Sequence, residues 1–206
     1  EDALRRVLKS RKAPFVEAAG EAAFYGPKID VQMKNVNGKE DTAFTVQYDF
    51  VMPKRFDLKY INDQGQEEQA IVIHRSSIGA LERVMAFLIE KYAGNFPLWL
   101  APTQVAVLPI SEKTEEYSKK VTDLLRQNNI RTELDLTNDP LGAKIRRSTL
   151  QKIPLLCIIG EKEVQQGEAS GKMYIAVRAL DGKNLGVQEL NHFIETTKER
   201  IEKKLQ

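Results

Sequence analysis

A short apolar strand running into a strongly patterned helix, IVIHRSSIGALERVMAFLIEKYAG from Ile71 to Gly94, constrains this chain more than any other stretch. In AIVIHR, Ala70, Val72 and His74 alternate with Ile71, Ile73 and Arg75, the period of two that sends successive side chains to opposite faces of a strand. His74 therefore stands near the end of a strand. Ser76 and Ser77 can each cap a helix start. Beyond them Leu81, Val84, Met85, Leu88, Ile89 and Tyr92 recur at the i, i+3, i+4, i+7, i+8, i+11 spacing of an apolar helix stripe, and Gly94 supplies a stop. At about 100° per residue, Arg83 falls opposite that stripe, beside Gly79, Ala86 and Phe87. Two readings of Arg83 stay open: a guanidinium with room for a planar or anionic partner, or a solvated arginine paired with a neighbouring glutamate.

Strand signals precede this junction at residues 29–33, 42–50 and 55–61. Asn37-Gly38, a strong hairpin turn, and Met52-Pro53 separate them, and Asp63-Gln64-Gly65 follows. In AFTVQYDFV, the polar residues Thr45, Gln47 and Asp49 alternate with Phe44, Val46, Tyr48 and Phe50, which predicts a sheet with one wet face. With the helix after His74, these strands predict an α+β unit: an antiparallel sheet backed by a helix. EAAFYGPKID, residues 21–30, places a Gly-Pro turn between an aromatic pair and a strand. Residues 1–12 carry Leu4, Val7 and Leu8 at helical spacing with no cap and no initiator methionine, so the chain is expected to be a piece of a longer protein.

The pattern changes after Phe96. From Val105 it reads strand (VAVLPI), helix (residues 112–128), strand (IRTELDL), helix (residues 141–152), strand (IPLLCIIG), strand (KMYIAVRAL) and helix (residues 187–205). Alternation of this kind predicts an α/β domain on a mostly parallel sheet. QQGEASG, residues 165–171, reads as a mobile loop between strands. The expected domains are thus residues 1–98 and 99–206, and 206 residues with 42% hydrophobic content are enough for two cores. Cys157, the only cysteine, lies in an apolar run; it reads as a core residue and suits a reducing compartment. No apolar run is long enough to cross a membrane and no leader pattern is present, so a cytoplasmic location is expected.

AFYGPKID, the TVQYDF strand, IHRSSIGALERVMAFLIEKYAGNFPLWLAP and the domain that follows resemble the C-terminal part of threonyl-tRNA synthetase, a class II aminoacyl-tRNA synthetase. The resemblance covers essentially the whole chain. GALER opening a helix is similar to the third class II signature, and FPLWLAP is similar to the entry into the family's anticodon-binding domain.

That resemblance implies the catalytic core of a threonine–tRNA ligase, in part, followed by an α/β anticodon-binding domain. It implies ATP with Mg²⁺, threonine and threonine tRNA as partners, a homodimer for the full-length protein, and no membrane. Zn²⁺ is held in the family by one cysteine and two histidines, of which His74 matches the last. Bound threonine is then told from valine by its hydroxyl. Arg83 matches the signature arginine that stacks on or bonds ATP, the planar, anionic partner of the first reading. Tyr25 and Lys28 line up with the substrate-side turn, and Thr45 and Gln47 with a strand under the adenylate, Gln47 serving both threonine and nucleotide. The other zinc ligands, the first two signatures and an editing domain have no match, so the chain by itself is not expected to aminoacylate.

Lysine and arginine exceed acidic residues by only 31 to 29, so any nucleic-acid surface must be local. Lys144, Arg146, Arg147 and Lys152 form a basic run on one predicted helix, with Asn138 in the loop before it. Taken alone, such a run fits a solvated helix face. By resemblance, Asn138, Arg146, Glu163 and Arg178 are base-reading candidates, and Lys144, Arg147 and Lys152 contact the RNA backbone. A different class stays open, a noncatalytic synthetase-derived module that binds tRNA or regulates.

Overall fold

The computed structural model describes residues 1–205. They form two compact units, Glu1–Glu90 and Lys91–Gln206.

The first unit opens with helix α1 (Asp2–Ser10) and centres on strand β2 (Glu40–Asp49), which lies between β1 (Lys28–Lys34) and β5 (Val72–Arg75) in an antiparallel sheet. Asn37-Gly38 reverses the chain between β1 and β2, as its sequence predicts. The Asn35 carboxamide oxygen accepts the backbone N–H groups of Asn37 and Lys39, and Gly38 takes φ 77°. After β2 the structure departs from expectation. Residues 55–61, read as a strand, begin at the end of helix α2 (Val51–Arg55) and reach strand only at β3 (Lys59–Ile61), which pairs with β4 (Glu67–Gln69). The reason is Asp49. Its Oδ1 accepts the N–H groups of Val51 and Met52 at 2.8 and 2.9 Å, which caps a helix start, and Pro53 falls in the first turn, where its missing N–H costs nothing.

Helix α3 (Leu81–Tyr92) forms where the pattern places it, but only half of the stripe turns inward: Val84, Leu88 and Tyr92 are half-buried. Phe87 is buried, whereas Leu81, Met85 and Ile89 of the apolar stripe are 62%, 53% and 50% exposed. What holds the helix to the sheet is backbone proximity. At Gly79, φ 73°, a Cβ would stand 2.1 Å from the carbonyl oxygen of Ala43 in β2, so only glycine lets the loop approach this closely.

The second unit is a five-stranded sheet in the order β10-β9-β8-β6-β7, with β6 (Val105–Pro109), β7 (Thr132–Leu134), β8 (Leu155–Ile159), β9 (Tyr174–Ala179) and β10 (Asn184–Glu189). β6 pairs in parallel with β7 and β8, but β8–β9 and β9–β10 are antiparallel, so the sheet is mixed rather than mostly parallel. One face packs Val105, Val107, Leu155, Cys157, Ile175 and Val177 against helices α4 (Glu115–Gln127) and α7 (Leu190–Glu202). The other packs Ala106, Leu108 and Leu156 against Leu141 and Ile145 of α5 (Leu141–Leu150). Cys157 is wholly buried, and burial pushes its thiol far above the ordinary range.

Two expectations fail here for local reasons. QQGEASG is no loop: it ends helix α6 (Glu161–Ser170), whose start is capped by the Glu163 carboxylate accepting the Gly160 N–H at 2.9 Å and whose end is set by Gly171 at φ 70°. The last helix starts at Leu190 instead of Val187, because Asn184–Glu189 adds a strand to β9 through a bulge.

Candidate functional site

Antiparallel register builds a polar row across the first sheet. Lys28 of β1 is opposite Gln47 of β2, which is opposite His74 of β5, and directly paired residues share a face. Thr45 and Asp30 make the next pair on that face. The turn carrying Tyr25 is fixed to β2 by the N–H groups of Tyr48 and Phe50, bonded to the carbonyls of Pro27 and Tyr25. Gly26 makes this possible, since a Cβ there would lie 2.3 Å from the Tyr48 carbonyl oxygen. Tyr25 then reaches over the row, and its hydroxyl donates to Gln47 Oε1 at 2.8 Å. Its ring meets the His74 ring edge-on, with centroids 6.3 Å apart. The Lys28 ammonium bonds Asp30 Oδ2 at 2.5 Å, and this bond holds the lysine above its usual range. Asp30 Oδ1 is buried with no partner among the described residues.

The fold thus gathers Tyr25, Lys28, Thr45, Gln47 and His74 on one face. Arg83 is attached to the same strand from α3, its guanidinium donating to the Thr42 carbonyl. The glutamate partner of the solvated reading is not found among the described residues. Sequence reasoning passed over Asp49 and Asp30. Asp49 is buried, and its Oδ2 lies 2.8 Å from His74 Nε2. The Met52 amide, then His74 and the Val51 amide, outweigh burial and hold its carboxyl below the usual range. The alternation in TVQYDF already set Asp49 on the polar face with Thr45 and Gln47.

A zinc ion on His74 would need further ligands. Among the described residues no three histidine, cysteine, aspartate or glutamate side chains are grouped to hold a metal. Cys157 is enclosed in the second unit's core, and Nε2 of His74 is taken by Asp49. These residues therefore do not make a zinc site by themselves.

In the second unit the basic run divides. Lys144, expected to contact RNA phosphates, is instead buried, its ammonium donating to the carbonyls of Pro109 at 3.0 Å and Asp135 at 3.3 Å, where it ties the ends of β6 and β7. Arg147 is engaged by Asp135 at 2.6 Å and Asp139 at 2.9 Å. Lys152 bonds the Ala93 carbonyl and packs against Gly94. Arg146 alone of the run is exposed, with no ion pair or hydrogen bond among the described residues. Asn138 is exposed in the loop before α5. Glu163 is buried in its helix cap. Arg178 of β9 is paired with Leu156 of β8, which packs beneath α5, so Arg178 shares the α5 face of the sheet. Arg146 and Arg178 thus belong to the same side of this unit.

A tRNA synthetase class II core domain model, covering the glycine, histidine, proline, serine and threonine enzymes, matches residues 3–92, and an anticodon binding domain model matches residues 104–204. The chain thus carries a class II tRNA synthetase core segment followed by an anticodon-binding domain. The relatives it resembles are threonyl-tRNA synthetases. It is 46% identical to a threonine–tRNA ligase of Clostridium botulinum (strain Eklund 17B / Type B), over 97% of this chain and 31% of that protein. It is also 46% identical to one of Clostridium perfringens (strain SM101 / Type A), over 93% and 29%. The solved RNA binding domain of threonyl-tRNA synthetase from Cryptosporidium parvum Iowa II superposes with a TM-score of 0.83 at 32% identity, covering 96% of this chain and 49% of that one. The chain therefore spans about a third of the length of the curated relatives it matches. None of its helices is long and apolar enough to cross a membrane, among the described residues.

Proposed function

We propose that this chain works as part of a threonine–tRNA ligase, supplying one wall of the site that activates threonine with ATP and the domain that binds the anticodon of threonine tRNA. The observation that carries this reading is the polar row itself: the positions that resemble the family's substrate residues, Tyr25, Lys28, Gln47 and His74, share one sheet face. With Oε1 occupied by the Tyr25 hydroxyl, the Gln47 amide N–H groups are left to donate to a substrate oxygen. Arg83 has N–H groups beyond the one on Thr42 with which to offset phosphate charge during adenylate formation. ATP is used with Mg²⁺ on this reading. The chain provides one zinc ligand, His74, and the rest of that site, like the partner of a homodimer, lies outside these residues. A cytoplasmic location accompanies this role.

By itself the chain is expected to bind tRNA and not to catalyse. Arg146, Arg178 and Asn138 are the base-contacting candidates, while Glu163 serves as the cap of helix α6. The test is binding of the chain to threonine tRNA and to the same tRNA with its anticodon replaced, at one salt concentration. Preference for the natural anticodon is expected; equal affinity would overturn the assignment. Threonine-dependent pyrophosphate exchange should be absent, and detectable exchange would show that the described wall is sufficient.

A further inference from the structure

We propose that Arg147 does not meet RNA but is a positioning residue, a clamp on the loop between β7 and α5 that holds Asn138 ordered before a base arrives. The proposal rests on the reading of Asn138 as a base-contacting residue.

The loop, residues 135–140, is tied at its two ends by the chain around it. At the start, the Asp135 N–H donates to the Val107 carbonyl at 3.1 Å, and the Asp135 carbonyl accepts the Lys144 ammonium at 3.3 Å. At the end, Pro140 has a fixed φ and biases Asp139 toward extended backbone, while its carbonyl accepts the N–H groups of Ala143 and Lys144 in α5. The middle is held by one guanidinium. Arg147 Nη2 donates to Asp135 Oδ2 at 2.6 Å and to Thr137 Oγ1 at 2.8 Å, and Nη1 donates to Asp139 Oδ2 at 2.9 Å. Asp135 Oδ1 closes the cluster by accepting the Thr137 N–H and hydroxyl at 3.1 and 2.7 Å. The side chains at 135, 137 and 139 thus all turn to Arg147. Asn138 stands between two of them, exposed, and its carboxamide has no hydrogen bond among the described residues.

This arrangement opposes a phosphate contact. One positive charge faces two carboxylates, so a phosphate arriving at Arg147 would meet a cluster of net negative charge. What the guanidinium supplies is geometry. Its donors lie in a rigid planar fork that can hold three residues at once, whereas a lysine ammonium is a point charge on a flexible stem. A loop fixed in advance does not have to be ordered on binding, so the contact made by Asn138 is strengthened although Arg147 touches no base.

The test compares wild type, Arg147→Lys, Asn138→Ala and the double variant in the 206-residue chain. Each is measured for affinity to threonine tRNA and to the same tRNA with its anticodon replaced, over a range of salt, and for ¹⁵N relaxation across residues 135–139 without RNA. Asn138→Ala should lower the preference for the natural anticodon about tenfold, the loss of one base contact. Arg147→Lys keeps the charge, yet the loop amides should become mobile and the preference should fall about two- to tenfold. Adding Asn138→Ala to Arg147→Lys should then cost less than it does in wild type, because the contact it removes is already poorly ordered. A merely structural arginine would weaken both tRNAs alike and leave the two changes additive, which would overturn the proposal. So would loop amides that stay as rigid as wild type in a folded Arg147→Lys chain. Arg147→Gln addresses the phosphate: a salt slope lower by about one unit for both tRNAs overturns the proposal, and an unchanged slope with lost preference supports it. Where Arg147→Gln does not fold, Arg147→Lys decides, since a phosphate contact would keep the preference and a clamp would lose it. If Asn138→Ala alone leaves the preference unchanged, the base-reading role falls and the proposal with it; if Asn138→Ala lowers it and Arg147→Lys does not, the proposal alone falls.

Discussion

The two units of this chain are built on opposite terms. In the second, both faces of the sheet are covered, and Val105, Val107, Leu125, Leu156 and Ile175 are enclosed. In the first, the apolar side chains buried among the described residues are only Leu4, Ala43, Pro53 and Phe87, while Phe24, Ile61, Ile71, Ile73, Leu81, Met85 and Ile89 are largely exposed. The first unit is therefore organised less by a core than by polar contacts and close backbone approaches onto β2: Asp49 at α2, Arg83 at Thr42, and the glycines at 26 and 79. Apolar exposure on this scale is more than scattered surface residues alone would give. The proposed functions differ in the same way. On that proposal, the anticodon face stands on a scaffold with its own core, whereas the substrate face shares its residues with the contacts that hold its own sheet together.

The largest effect expected of this contrast is on core truncation. Leu125→Ala should cost the second unit about 2–5 kcal/mol, the range for emptying a packed site, measured by urea unfolding. Leu81→Ala on α3 should stay within about 0.5 kcal/mol, because its side chain is already in water. Comparable losses at both positions would mean that Leu81 is covered in solution and would break the comparison.

A smaller effect should come from Arg83. Since its guanidinium bonds the Thr42 carbonyl and joins α3 to β2, Arg83→Ala should destabilise the first unit by about 1 kcal/mol, below the usual range for charged hydrogen bonds because the site is exposed. Amide exchange along residues 40–49 is the readout, and unchanged protection would mean that Arg83 is reserved for its ligand.

How far the sequence reached follows the same division. Most of the second unit's strands and helices were readable because a buried strand such as VAVLP and a helix such as α4 satisfy their own local patterns, although α6 was read as a loop and part of β10 as helix. The polar face of β2 was readable from TVQYDF by alternation alone. Three further things were not. The buried side of α3 was misread in part because hydrophobic periodicity assumes that the whole apolar stripe is covered, and here Val84 and Leu88 turn inward beside Phe87 while Leu81, Met85 and Ile89 do not. Helix α2 was missed because a carboxylate cap two residues before a helix is a contact, not a pattern. The basic run was read as one surface, although Lys144 and Arg147 sit at helix positions that face acceptors supplied by β6, β7 and their loop. Spacing along one helix carries no information on what stands opposite.

Acid unfolding should separate the units through those acceptors. For Asp135, burial pushes its carboxyl upward, but bonds from Arg147 and Thr137 outweigh this and leave it below the ordinary value; for Asp139, Arg147 and then Thr137 lower it directly. A depressed folded value means stability that is present above the unfolded value, near 3.8, and is lost as pH falls through the folded one. Arg147→Gln should therefore flatten the acid dependence of the second unit below pH about 4 and leave that of the first unit, where Asp49 is held down independently, unchanged. A parallel change in both would show that the units unfold as one.

The smallest effect on stability is expected where the binding effect should be clearest. Arg146 has no ion pair or hydrogen bond among the described residues, so Arg146→Ala should shift the second unit's stability by no more than about 0.5 kcal/mol. Its loss from tRNA affinity should be about 1–3 kcal/mol if it reads a base edge; if it only meets phosphate, the salt slope should instead fall by about one unit for every anticodon alike. Lys144→Met is the control from the same helix. It removes the ammonium that ties β6 to β7, so it should weaken the fold and leave the salt slope as it was. If instead Lys144→Met flattened the slope, the ammonium would have to leave Pro109 and Asp135 when RNA binds. The second unit would then share residues between scaffold and function just as the first does, and the contrast between them would narrow to the depth of their cores.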